Sequence, residues 1–148
     1  MELNLIVCTM NKVYVLLVED DKYMNLTLSG FLEEEGYDIV SAGTANEAIE
    51  KIHDNNKLYN LVILDYNLGN LSGLTGLDIL AKMKTVNPDV KSILITAYSD
   101  KKIKDLAQEA GVDIFINKPF LLDDILEAVA SLTNDNTKRT EINLTNKT

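Results

Sequence analysis

The feature that most limits what this chain can fold into is its alternation. Five short apolar, β-rich runs are each followed by a stretch whose apolar residues recur at helical spacing. The runs are Lys12–Val18 (KVYVLLV), Tyr37–Ala42 (YDIVSA), Leu61–Asp65 (LVILD), Lys91–Thr96 (KSILIT) and Val112–Lys118 (VDIFINK). Where they are almost unbroken in apolar character, they read as strands covered on both faces. The helical stripes between them are Met24, Leu28, Phe31 and Leu32, then Ala48, Ile49 and Ile52, then Leu77, Leu80, Ala81 and Lys84. Ile103, Leu106, Ala107 and Ala110 form the fourth, and Leu122, Ile125, Leu126, Val129 and Leu132 the fifth. Local stop and start signals agree. Gly36, Asn87-Pro88 and Gly111 close helices, the capping box Thr44–Glu47 (TANE) opens one, and Asp100 or Ser99 can open another.

Strict β-α alternation implies a parallel sheet with helices on both faces, and right-handed crossovers leave few windings. The expected fold is α/β, a flavodoxin-like doubly wound five-stranded parallel sheet in the order 2-1-3-4-5. In such a sheet ligands sit beyond the C-terminal ends of the strands, where the winding reverses. The 148 residues suffice for one domain with a real core. We expect an N-terminal extension over residues 1–11, the domain over 12–132 and a polar tail over 133–148.

The net charge of −9 excludes non-specific nucleic-acid binding, which needs a basic surface, and disfavours docking on anionic lipid. A cationic partner or a divalent metal fits better. One cysteine, Cys8, cannot form an internal disulfide, and no apolar run approaches the roughly 20 residues that span a bilayer. A cytoplasmic setting without membrane association is the expectation.

The strand tips carry the chemistry. The first run drives straight into three acids, Glu19, Asp20 and Asp21. Placing like charges at the end of a buried strand costs free energy unless something positive meets them. Asp65 ends the third run, and in a doubly wound sheet the first and third strands are neighbours, so their acids converge. Such a cluster suits Mg²⁺ or Mn²⁺, ions that take a few carboxylates and share phosphate oxygens. Asp21 reads instead as an acid at a helix N-terminus. Thr96 ends the fourth run and Lys118 the fifth. A carboxylate nucleophile, a hydroxyl, an ammonium and a cation are what phosphoryl transfer onto an aspartate requires.

With "LLVEDD", "LVILDYNL", "ILITAYS" and "INKPF" in order, each at a strand end, the chain resembles a response-regulator receiver domain of two-component signalling. The resemblance covers about Lys12 to Leu132. It implies that Asp65 is phosphorylated, that Asp20 binds the metal directly and that Glu19 holds it through water. Asn67 offers its backbone carbonyl to the ion, Thr96 and Lys118 contact the phosphoryl group, Lys118-Pro119 is cis, and Phe115 is the switch aromatic. It further implies that Tyr98 and Asn67 tune phosphate lifetime, and that the donor is a histidine kinase or histidine phosphotransfer protein. The expected output is protein contact by a stand-alone monomer or weak dimer that is no turnover enzyme; a fragment of a larger regulator or hybrid kinase is the alternative.

One departure stands out. "DYNLGNLSGLTGLDIL" places Gly69 where the family has proline, and offers both Gly73 and Gly76 for its later glycine, as if the loop held about three extra residues. His53, in a polar helix stretch, is expected to be an exposed bystander. Rival readings fare worse. A flavodoxin-type nucleotide binder wants a Gly/Ser/Thr-rich loop where this chain has acids. A metal-dependent phosphatase or nicking domain commonly has Asp-x-Asp, whereas Tyr66-Asn67 follows Asp65.

Overall fold

The computed structural model describes residues 12–54, 58–69, 72–97 and 100–133. The N-terminal extension with Cys8, the residues Tyr98 and Ser99, and the tail from residue 134 lie outside the described residues. Five strands and five helices alternate without exception: β1 (Tyr14–Val18), α1 (Lys22–Glu34), β2 (Asp38–Ala42), α2 (Ala45–His53), β3 (Leu61–Asp65), α3 (Gly76–Val86), β4 (Lys91–Thr96), α4 (Lys101–Glu109), β5 (Ile114–Asn117) and α5 (Leu122–Thr133). All pairings are parallel and the order is β2-β1-β3-β4-β5, as expected.

Successive strand residues point to opposite faces, and each face has its own core. Leu16, Val18, Val62, Leu64 and Leu94 pack under α2, α3 and α4 with Ile52, Leu80 and Met83. Val15, Leu17, Ile63, Ile93 and Ile95 pack under α1 and α5 with Leu28, Leu32, Ile125 and Val129. This explains the unbroken apolar runs: neither parity of the central strands meets water.

Helix ends follow the local chemistry. Asp21 N-caps α1 by accepting from the Met24 N–H at 2.9 Å, and Gly36 follows the helix at φ 97°. Thr44 caps α2 by accepting from the Glu47 N–H at 3.1 Å. The Glu47 carboxylate reaches one residue further back than in a standard capping box, to the Gly43 N–H at 3.0 Å. Asp100, of the two candidates, caps α4 through the Ile103 N–H at 2.9 Å.

Two helical stripes need correction. In α3 the buried residues are Gly76, Ile79, Leu80 and Met83, while Ala81 faces solvent and Lys84 is half-buried. In α4, Ile103 and Ala107 are buried but Leu106 is exposed. His53 is exposed at the end of α2, as expected.

Candidate functional site

The acids meet. Glu19 follows β1 directly, and its N–H donates to the Ala42 carbonyl at the end of β2 (3.1 Å). That contact extends the strand pairing by one residue and carries the Glu19 side chain into the interior, where only 2% of the residue is exposed. Asp20 is exposed. Asp65 closes β3 and is 6% exposed. One carboxylate oxygen from each of Glu19, Asp20 and Asp65 lies within 4.8 Å of the other two. Opposite ligands of an octahedral Mg²⁺ stand about 4.2 Å apart, twice the bond length of roughly 2.1 Å. Neighbouring ligands stand only about 3.0 Å apart, so the three oxygens, within 4.8 Å of one another, fit such an ion with a water interposed at one of them or with the acids drawn closer. Hard carboxylate oxygens are also the right donor chemistry.

Lys118 lies just past β5, and its N–H donates to the Thr96 carbonyl at 2.8 Å. Its half-buried side chain reaches across the end of β4 to Asp65, with Nζ 3.0 Å from Oδ2 and 3.5 Å from Glu19 Oε2. The ammonium thus spans both acid-bearing strands. Burial and then the neighbouring Asp65 charge push the Glu19 carboxyl up to about 7, against the opposing pull of Lys118. For Lys118, burial acts downward. The hydrogen bond and charge of Asp65, with the charge of Glu19, outweigh it and raise the ammonium above its ordinary value. Both shifts say the same thing: among the described residues, this pocket holds more negative charge than it can solvate. The Lys118-Pro119 peptide is cis, as the resemblance implied.

Thr96 ends β4, fully buried, beside Asn117 of β5. Asn67 is exposed. Its N–H donates to Asp65 Oδ1 at 3.2 Å, while its own Oδ1 accepts from the Gly69 N–H at 3.2 Å. The Asn67 side chain therefore folds back on its own loop. Both Asp65 oxygens have donors, one from Asn67 and one from Lys118.

The longer loop resolves around one glycine. A Cβ on Gly76 would overlap the Asp65 carbonyl oxygen, and the Gly76 N–H donates to the Tyr66 carbonyl at 2.9 Å. Gly76, not Gly73, holds the close-approach position. Gly69 and Gly73 instead take φ of 84° and 70°, conformations that glycine adopts without strain. Phe115 is half-buried on β5, with Lys104 Nζ 6.0 Å from its ring centre. It lines a groove of about 350 Å³ with Ala107 and Val112.

Sequence reasoning gave Asn25 no role in the site. Its side chain bridges the carbonyls of Glu19 and Ala42. The available signal was a polar residue one turn before a serine, Ser29, on a helix that starts beside the acids.

Winding, crevice and helix placement define a flavodoxin-like fold of the CheY type. The match to known proteins is specific. The response regulator receiver domain family matches residues 15–130. Regulatory protein VanRB of Enterococcus faecalis is 34% identical over 120 residues, 81% of this chain and 52% of the relative. Among solved structures, a CheY-like receiver domain from Methanospirillum hungatei has a TM-score of 0.75 at 29% identity, covering 88% of this chain and 98% of that one. The response regulator TrrA from Thermotoga maritima, in complex with Mg(2+)-BeF, has a TM-score of 0.68 at 35% identity, covering 81% and 98%.

The chain belongs to the response regulator receiver domain family. It is accordingly a module of phosphorylation-dependent signalling, a family whose members work with histidine kinases or phosphotransfer proteins and act generally as switches. The chain spans about half the length of the first curated relatives it matches, 52%, 55% and 56%. No helix among the described residues is long and apolar enough to cross a membrane.

Proposed function

We propose that this domain accepts a phosphoryl group on Asp65 from a phosphohistidine of a histidine kinase or histidine phosphotransfer protein, and signals through protein contacts. The observation that carries the reading is the Lys118 ammonium 3.0 Å from Asp65 in a crevice shared with Glu19 and Asp20. An Asp65 oxygen attacks phosphorus, the bond from phosphorus to the imidazole nitrogen breaks, and that nitrogen takes up a proton from solvent. When bound, Mg²⁺ or Mn²⁺ supplies positive charge to the phosphoryl oxygens. Asp20, Asp65 and the Asn67 carbonyl would hold it directly, and Glu19 through water.

After transfer, Lys118 exchanges the Asp65 oxygen for a phosphoryl oxygen, and the Thr96 hydroxyl donates to another. Hydrogen bonds to charged groups contribute roughly 1.5–3 kcal/mol each. Two of them give about 3–6 kcal/mol, against the roughly 5.5 kcal/mol that inverts a 1:99 equilibrium. The upper part of that range suffices to move the end of β4 and re-seat Phe115, which lines the adjoining groove.

The test is incubation with Mg²⁺ and acetyl phosphate followed by intact-mass measurement. Wild type is expected to gain one phosphoryl group and Asp65→Asn none. A variant lacking Asp65 that still gains the mass overturns the assignment.

A further inference from the structure

We propose that Asn25 is a positioning residue for the metal-binding turn: its side-chain amide ties the ends of β1 and β2 together and thereby fixes where Glu19 and Asp20 stand. The proposal rests on the metal reading above.

Asn25 lies in the first turns of α1, half-buried, with its N–H donating to the Asp21 carbonyl at 2.9 Å. Its Nδ2 stands 3.0 Å from the Glu19 carbonyl and 3.3 Å from the Ala42 carbonyl. An amide nitrogen carries two hydrogens, so this one atom can serve both strand ends. The opposite amide orientation would aim an oxygen at two carbonyl oxygens. The two carbonyls, which only accept, thus fix the orientation, and the hydroxyl of the buried Ser29, one turn later, satisfies the remaining oxygen by donating to Asn25 Oδ1 at 3.3 Å.

Glu19 is consequently held from several directions. Asn25 holds its carbonyl, the Asp21 N–H meets its Oε1 at 3.3 Å, and Lys118 approaches Oε2 at 3.5 Å. The clamp has a physical purpose. Three carboxylates within 4.8 Å repel, and an unrestrained turn would relieve that repulsion by opening toward water. Opening would separate the ligands that a small cation needs close together. Groups that orient ligands in this way typically cost 10–100-fold in metal affinity when removed, on the order of other outer-shell partners.

Calorimetric titration of Mn²⁺ into the full chain tests this, since binding is read without phosphorylation. Asn25→Leu, which keeps the bulk but removes the donors, is expected to weaken Mn²⁺ binding at least about tenfold. Ser29→Ala, which frees the amide to turn, is expected to cause a smaller loss in the same direction, and it serves if Asn25→Leu fails to fold. Leu26→Ala, on an exposed neighbour in the same helix, should leave affinity unchanged. If Asn25 acts through Glu19, its effect must shrink in a Glu19→Gln background to less than about threefold; a merely structural tether gives additive losses. Wild-type binding with Asn25→Leu within about twofold of it, or equal losses in both backgrounds, overturns the positioning role alone. A wild type that binds no Mn²⁺ removes the metal reading and this proposal with it.

Discussion

The metal-free protein should lose stability as pH rises through the range where Glu19 ionises. The Glu19 carboxyl is carried from an ordinary 4.5 to about 7, by burial first and by Asp65 second. Between those values the folded state binds a proton that the unfolded chain has released, so the unfolding free energy falls with rising pH. The stabilisation is whole below about 4.5, declines up to about 7 and is gone above it. At about 1.4 kcal/mol per pH unit, the loss is about 3 kcal/mol, a fall in Tm on the order of 10 °C for a domain of this size. Other carboxylates superimpose their own titrations, so the diagnostic quantity is the difference between wild type and Glu19→Gln. Urea unfolding at intervals from pH 5 to 8.5, in chelator, should show wild type falling relative to the variant. At pH 8 the variant should be the more stable of the two. Saturating Mg²⁺ should reverse the trend for wild type, because cation and proton compete for the same carboxylate. Parallel pH profiles for the two proteins, or a wild type that gains on the variant with pH, would refute the reasoning.

Two further substitutions follow from the packing. Gly76→Ala drives a Cβ into the Asp65 carbonyl and within 3.2 Å of Leu64 Cβ; α3 must back away, costing about 1–3 kcal/mol in urea unfolding, with weaker Mn²⁺ binding as Asp65 shifts. Lys84→Met removes an ammonium that donates to the Ala110 and Gly111 carbonyls at 3.0 and 3.3 Å, beyond the C-terminus of α4. About 1 kcal/mol of stability should go with it, seen as faster amide exchange in α4, with Mn²⁺ affinity unchanged.

Residues whose environment is set by their own strand were legible in the sequence. An apolar run that stops at an acid fixes both the strand and its tip, which is why Asp65 and Thr96 fall at the observed ends of β3 and β4. What depended on through-space phase was not legible. The α3 stripe went wrong because the loop before it has unusual length, so nothing local fixed the rotation of the helix about its axis. Ile79 and Met83 are as apolar as Leu77, and burial chose between them once Gly76 was drawn against Asp65. Lys84 looked like the polar margin of a stripe, yet its stem crosses to the end of α4, a partner 26 residues away. Asn25 gave only a weak signal, its spacing to Ser29, for a related reason: a helical asparagine is unremarkable until two strand ends arrive beside it.

The crevice assembles its charges from separate strands. With Glu19, Asp20 and Asp65 ionised and Lys118 protonated, the cluster sums to −2, the charge that one divalent cation cancels. Here the two buried acids are anchored by different pieces of the sheet: Glu19 through Ala42, and Asp65 through its pairing with Ile95. The same anchoring couples the two groups proposed to read the phosphoryl state. The Lys118 N–H is bonded to the Thr96 carbonyl at 2.8 Å, so a shift of either backbone is felt by the other. Phe115, three residues before Lys118 on that strand, lies on the groove side of the sheet with α4 beyond it. In the proposed switch, a movement at the end of β4 would therefore be passed through this hydrogen bond to the tip of β5, the strand that carries Phe115.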